Sequence, residues 1–293
     1  MPSAEQFSRL FRALSAGLAL ALASACATSS PAMSQDAPAP ELPAAQAPTY
    51  ADLVDMALRA DLVAIVEVDD QIPFPPERAP NLPPSQVRLY IESLTQALLA
   101  APSALGQGLT FVVDQPRDMD GDAPDLEERR FLVFGDLSAT QPGAIQLLSS
   151  RAMLPHGPRI EARVRRVLTQ LAEAGDPAPI TGVRDVISVP GNLAGESETQ
   201  MFIESADGAP VSLTVVRRPG MAPEWGISLG EIVDASARPP EPETLNWYRF
   251  ACFLPRELPE GAFLQRDRAS QAQARTDYAL VLRDLGECER RFT

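Results

Sequence analysis

Gly226-Ile227-Ser228-Leu229-Gly230 is a G-x-S-x-G string, in which small residues flank a serine so that a strained strand-to-helix turn can expose its hydroxyl as a nucleophile. That chemistry takes its base from a histidine later in the chain, and the one histidine, His156, comes earlier. Glu231-Ile232-Val233-Asp234, which would have to open the helix, reads as strand or loop. The string therefore reads first as an ordinary glycine-flanked turn or strand, with a hydrolase using Ser228 as the alternative. Glu196 and Glu198, near Gly191 and Gly195, offer the carboxylate pair of acid–base chemistry, although two acids on an irregular loop are ordinarily just solvated.

A second cluster is acidic. Asp118, Asp120, Asp122, Asp125, Glu127 and Glu128 crowd one loop with hard oxygen ligands, which makes a calcium- or small-ligand-binding module a further alternative. The EF-hand pattern fails, because Ala123 stands where glycine is needed and Arg129 takes the closing carboxylate position. The competing reading is a solvated acidic loop, with no metal bound. His156, flanked by Pro155 and Pro158 in a turn, lacks companions for a zinc site and reads as surface structure.

Arg163, Arg165 and Arg166 make a small basic face, suited either to neighbouring carboxylates or to an anionic ligand. Trp225 and Trp247 could line a ligand groove, with the core as the commoner place for Trp247. The chain has 25 basic against 39 acidic residues, a formal charge of −14, which repels phosphate backbones, so no nucleic-acid partner is expected. No lysine occurs, so Schiff-base and lysine-base chemistry drop out. No cofactor is called for.

These residues need elements to hold them. Thr49 and Asp52 open a capping pattern, and Leu53, Met56, Ala57 and Ala60 follow at helical spacing. Leu62 to Val68 is a strand by composition, and the prolines from Ile72 to Pro84 indicate a long surface loop. Val87 to Ser93, Leu109 to Val113, Arg130 to Phe134 and Ala144 to Leu148 complete five strands. A helix over 158–174 follows, with Pro158 at its start and Gly175 at its end. A second unit from 176 to 293 contains strands at Gly182 to Val189, Thr199 to Glu204 and Val211 to Arg217. Leu245 to Leu254, apolar on both faces, reads as its central strand, and a closing helix runs from about Gln265 to Glu287. The fold class is α+β, mainly β. It comprises a small five-stranded barrel-like unit with a flanking helix (49–175) and a second β-rich unit closed by a C-terminal helix.

The address is written at the amino terminus. Arg9 and Arg12 precede an apolar run from Ala13 to Ala23 and the small residues before Cys26, the order of a signal peptide over 1–25. The run is too short to span a bilayer, which takes about 20 apolar residues. Leu20 to Cys26 resembles a lipoprotein box with Cys26 lipidated, although Leu22 stands one place too far from the cysteine. Ala23-Ser24-Ala25 equally fits plain signal-peptidase cleavage, so periplasmic or outer-membrane-anchored and secreted forms both stand. Residues 26–48, rich in alanine and proline, read as a disordered tether. With Cys26 set aside, Cys252 and Cys288 form an even pair, expected to be disulfide-bonded across a loop of about 37 residues at roughly 4 kcal/mol in the chain-entropy model.

Two resemblances add to this. Ala60 to Val68 together with Arg130 to Phe134 resemble the first and closing strands of netrin-like oligonucleotide/oligosaccharide-binding-type barrels, which implies that fold over roughly 61–174 and no functional residue. The carboxy-terminal segment resembles uncharacterised exported, lipoprotein-like proteins of alphaproteobacteria, which implies no activity. The functional expectation is a non-catalytic envelope protein, a lipoprotein or periplasmic accessory factor. Its partner would be an envelope protein or other envelope component, and it would touch the membrane only through a lipid anchor.

Overall fold

The structure, a computed structural model, describes residue 43 and residues 45–230 and 237–292. The signal segment, Cys26 and most of the Ala/Pro-rich stretch lie outside the described residues, as does the Glu231 to Asp234 reading. The described body is mainly β, with two antiparallel sheets and four helices.

The first helix, α1 (Tyr50–Arg59), starts where the sequence places it. The Thr49 hydroxyl accepts from the Asp52 amide at 3.1 Å and the Thr49 amide donates to the Asp52 carboxylate at 2.8 Å, a complete capping box. The body begins slightly earlier, inside the stretch read as tether: Gln46 and Ala47 amides both close a turn onto the Pro43 carbonyl, and Pro48 is buried.

Strands β1 (Leu62–Pro73), β2 (Gln86–Ala100), β3 (Gly108–Pro116), β4 (Arg130–Leu137) and β5 (Ile145–Leu147) pair in the order β3-β2-β1-β4-β5 and curl into a half-barrel. A short β6 (Met153–Pro155), which has no counterpart in the sequence reading, also pairs with β4. Register shifts at three places along β1 against β2 supply the bend, since each leaves a residue unpaired and increases local twist. The two ends of the curl meet at one parallel bridge, Thr110 to Ala144, with the Thr110 amide donating to the Gly143 carbonyl at 2.8 Å. Leu62, Ala64, Val66, Leu89, Ile91, Phe111 and Val133 fill the concave side. Val63, Leu132 and Phe134 point the other way and pack on α1 and on α2 (Pro158–Ala174). Burial on both faces explains the unbroken apolar run in β1. That strand continues through Ile72 and Pro73, so the proline-rich loop is shorter than its composition implies.

The second sheet is a meander of β7 (Ile180–Pro190), β8 (Ser197–Ser205), β9 (Val211–Arg217) and β10 (Glu224–Leu229). Its apolar face packs on α4 (Arg268–Leu285). Between the sheets lies α3 (Leu245–Phe253), and here the sequence expectation is overturned, because the segment read as the central strand is a helix. Thr244 caps it, its hydroxyl accepting from the Trp247 amide at 3.1 Å. Leu245 and Tyr248 enter the α1–α2 core while Phe250 packs in the core of the second sheet. A helix covered on opposite sides has no polar stripe, so its 3.6-residue period is invisible in composition. The fourth strand of this sheet is instead β10, the segment carrying the G-x-S-x-G string.

After α4 the chain runs back to α1. Cys288 is bonded to Cys252 of α3, with Cα atoms 4.9 Å apart, as the cysteine count anticipates. The Asp52 carboxylate, fully buried, accepts from the Arg291 and Phe292 amides at 2.9 Å each, 239 and 240 residues away in sequence. The Thr49 hydroxyl donates to the Glu289 carbonyl at 2.7 Å. Burial pushes the Asp52 carboxyl up, and the hydrogen bonds from Phe292, Thr49 and Arg291 outweigh it, leaving it below the ordinary value.

A carboxylate with a depressed folded value stabilises at neutral pH and loses that contribution as pH falls below its unfolded value, about 3.9. Wild type is therefore expected to lose stability through this acid window. Asp52→Asn should begin about 1–3 kcal/mol less stable at pH 7 and show a shallower acid limb in urea unfolding; equal slopes would remove Asp52 from the account. Reduction of the disulfide should cost about 2–4 kcal/mol in the same assay.

Candidate functional site: a cleft beside the tail clamp

A cleft of about 500 Å³ opens where α1, α2, α3 and the carboxy-terminal tail converge. Its apolar surface comes from Pro48, Tyr50, Ile160, Pro242 and Trp247. Trp247 is set by α3, with its indole nitrogen donating to the Leu285 carbonyl at 2.8 Å. Tyr50 meets it edge-on, ring centroids 6.0 Å apart. The Tyr50 hydroxyl donates to the Gln170 side chain at 2.5 Å, and burial foremost pushes its pKa well above the usual tyrosine range, so the phenol stays neutral.

Charges of both signs ring the cleft: Arg159, Arg163 and Arg291 against Glu243, Glu287 and Glu289. Arg159 and Arg163 come from successive turns of α2, four residues apart and so on one face. Arg163 donates to the Pro48 carbonyl at 2.8 Å and reaches Glu243 at only 3.4 Å. Arg166 lies 3.3 Å from the other Glu243 oxygen. Glu243 is partly exposed and has a positive φ of 56°, a left-handed conformation that costs energy for a residue with a Cβ. The Gln170 amide holds its carbonyl at 3.2 Å. Arg291 is more firmly engaged, with two contacts to Glu289 at 2.8 and 2.6 Å, and this pairing lowers the Glu289 pKa. The arrangement offers an aromatic wall, guanidiniums for a carboxylate and acceptors for a cation, at a volume within the usual range of ligand sites.

Two residues singled out in the sequence, Arg163 and Trp247, meet here. Arg165 turns to Glu161 at 2.7 Å. Tyr50, Glu243 and Arg291 escaped sequence reasoning because they come from distant segments, and the Thr49–Asp52 capping box was the only local signal nearby.

The other candidates are placed differently. Ser228 lies in β10 opposite Ser212, 5% exposed, and not on a strand-to-helix turn. Gly226 is required for another reason. The backbone of Ala237 and Arg238 passes directly over it, so that an added Cβ would fall 2.2 Å from the Ala237 carbonyl carbon. His156 is engaged by Glu161 at 2.7 Å. Glu196 and Glu198 serve the β7–β8 hairpin, Glu196 accepting from the Leu193 amide and Glu198 from Gln200. In the acidic loop, Asp118 accepts from the Asp120 and Asp122 amides and Asp125 from the Glu127 amide, as turn formers do. Among the described residues no three of the histidine, cysteine and carboxylate side chains converge as metal ligands, so Asp118, Asp120, Asp122 and Asp125 are not brought into a site. Trp225 belongs to the core of the second sheet, its indole donating to Asp284 at 3.0 Å. No helix among the described residues is long and apolar enough to cross a membrane.

In comparison with known proteins, no family model and no curated protein matches the chain.

The two glycines of the G-x-S-x-G string should separate under substitution. Gly226→Ala is expected to destabilise by about 1–3 kcal/mol through overpacking, whereas Gly230→Ala, with nothing within 4 Å of its added Cβ, should leave the melting temperature essentially unchanged. Equal sensitivity at both glycines would contradict a close approach confined to Gly226.

Proposed function

We propose that this is a non-catalytic, exported binding protein of the cell envelope, and that the cleft beside the tail clamp receives a short peptide segment of an envelope partner. The observation that carries the reading is the cleft itself. It combines the Tyr50–Trp247 aromatic pair with opposed guanidiniums and carboxylates, which suits a chain that carries apolar side chains and charged groups of both signs. Export is supported by the leader-like order of residues 9–26 and by the Cys252–Cys288 bond, which is at home in an oxidising compartment. The oligonucleotide/oligosaccharide-binding-type assignment is supported by the curled strand order, and the charge of −14 argues for a ligand other than nucleic acid.

Intact mass of the native protein against Cys26→Ser tests the address. A diacylglyceryl and acyl increment on Cys26 is expected, and an unmodified mature chain would make the protein a soluble exported form. For the cleft, envelope-derived peptides titrated against the labelled mature chain are expected to shift the Trp247 indole resonance. Arg163→Ala and Trp247→Phe should each weaken binding about tenfold or more. Unchanged affinity in both variants would move the binding surface elsewhere.

A further inference from the structure

We infer that the peptide received by the cleft is anchored by a carboxylate between Arg163 and Arg166, and that Glu243 holds that place until the peptide displaces it. This rests on reading the cleft as a peptide-binding site. Arg163 and Arg166 stand three residues apart on α2, so their side chains share one face of the helix. Arg163 is aimed in advance. Its Nη1 donates to the Pro48 carbonyl at 2.8 Å, which fixes the guanidinium and leaves Nη2 towards Glu243. Arg166 lies just outside the lining of the cleft and meets it at Glu243. The two arginines divide one carboxylate between them, Arg163 taking one oxygen at 3.4 Å and Arg166 the other at 3.3 Å.

That carboxylate fits poorly. Bonds from guanidinium to carboxylate ordinarily close to about 2.7–2.9 Å. Others in this body do so: Arg88 holds Asp114 at 2.7 and 2.8 Å, and Arg165 holds Glu161 at 2.7 Å. Arg163, Arg166 and Glu243 together carry one net positive charge, so the pair has room for a better-placed anion. Glu243 is also kept there at a backbone cost, its φ of 56° being one that glycine would adopt freely. Strain of this kind gathers at ligand clamps, and here the Gln170 side chain sustains it by holding the Glu243 carbonyl at 3.2 Å. The Glu243 side chain is 43% exposed, so turning it out into water costs little. A carboxylate brought by a ligand would find the guanidiniums already oriented, next to the aromatic wall. Glu243 and Arg166 both act on the Tyr50 phenol, raising and lowering its pKa respectively after the larger effect of burial. Arg291, by contrast, is already satisfied by both oxygens of Glu289 at 2.8 and 2.6 Å. The ligand is therefore an acidic peptide with an apolar side chain beside its carboxylate, which comes from an acidic side chain or from a free carboxy terminus.

The test uses the mature chain carrying Cys26→Ser, with the Trp247 indole resonance as the readout of binding. Three acetylated pentapeptides are titrated. One is amidated and has a glutamate between leucines, one is amidated with glutamine in its place, and the third is the glutamine peptide with a free carboxy terminus. A carboxylate peptide is expected to bind at least about fivefold tighter than the amidated glutamine peptide, and the one that does so identifies the source of the carboxylate. Glu243→Gln, and Glu243→Gly, which also relieves the backbone, should each tighten that peptide about threefold further, and Arg166→Gln should remove both gains. Glu287→Gln takes the same charge from another part of the wall and should gain much less. An equal gain at Glu287, weaker binding in both Glu243 variants, or equal affinities for all three peptides would each overturn the inference. In the last case a Trp247 shift leaves the cleft a peptide site with a different anchor, and no shift with these or any envelope-derived peptides removes the binding reading as well.

Discussion

One buried carboxylate holds the ends of the described body together. Asp52 sits at the first turn of the first helix with no exposed surface, and the amides of Arg291 and Phe292 converge on it from the far end of the chain. Burying an ionised group is expensive unless every oxygen finds a donor, so the tail is needed as much as the carboxylate. Around this point the interactions are mutual. Thr49 both caps α1 and donates to the Glu289 carbonyl. Arg290 reaches Asp55 at 2.6 Å and stands over the Tyr248 and Phe253 rings, and the Arg151 side chain donates to the Arg291 carbonyl at 2.6 Å. The cleft opens beside this junction, lined by residues of α1, α2, α3 and the tail.

The second organising element is α3, which gives one side chain after another to different neighbours. Tyr248 donates to Asp55 of α1, Arg249 binds the Ala178 carbonyl and the Ser205 hydroxyl at the start of the second sheet, and Cys252 holds the tail. Within the second sheet a buried polar chain does comparable work. Asp277 of α4 accepts from Arg217 at 2.6 Å and from Thr199 at 2.5 Å, fixing the helix against β8 and β9. Breaking such a pair by removing one partner costs several kilocalories, because the remaining charge stays buried. Gln265 adds a further tie: its side chain exchanges two hydrogen bonds with the backbone of Ser188 in β7.

Legibility in the sequence followed the range of the interaction. The capping box of α1, the Pro158 start and Gly175 end of α2, and β9 from Val211 to Arg217 depend on neighbours a few residues away, and each lies where its local pattern indicates. The cysteine pair was legible by arithmetic alone. What failed was context. Leu245 to Phe253 carries no helical stripe because two cores claim its opposite sides, and the reason for Gly226, a chain segment passing over it, is invisible in a string read only as a glycine-flanked turn or strand. The cleft was half legible: Arg163 and Trp247 stood out by type, but Tyr50, Glu243 and Arg291 join them only through folding.

The position of the clamp also has a temporal meaning. A chain is made from its amino end, so α1 emerges before the other described elements, yet its capping carboxylate gains the donors of Arg291 and Phe292 only when those residues arrive. Without residues 288–292 Cys252 would be a free thiol and Asp52 would lack those amide donors. Residues 288–292 thus complete the cap of α1 and the bond to α3 together. Removing residues 288–292 would therefore leave an unpaired sulfur on α3 and a loosened first helix at the same time, features on which thiol exchange and proteolysis act.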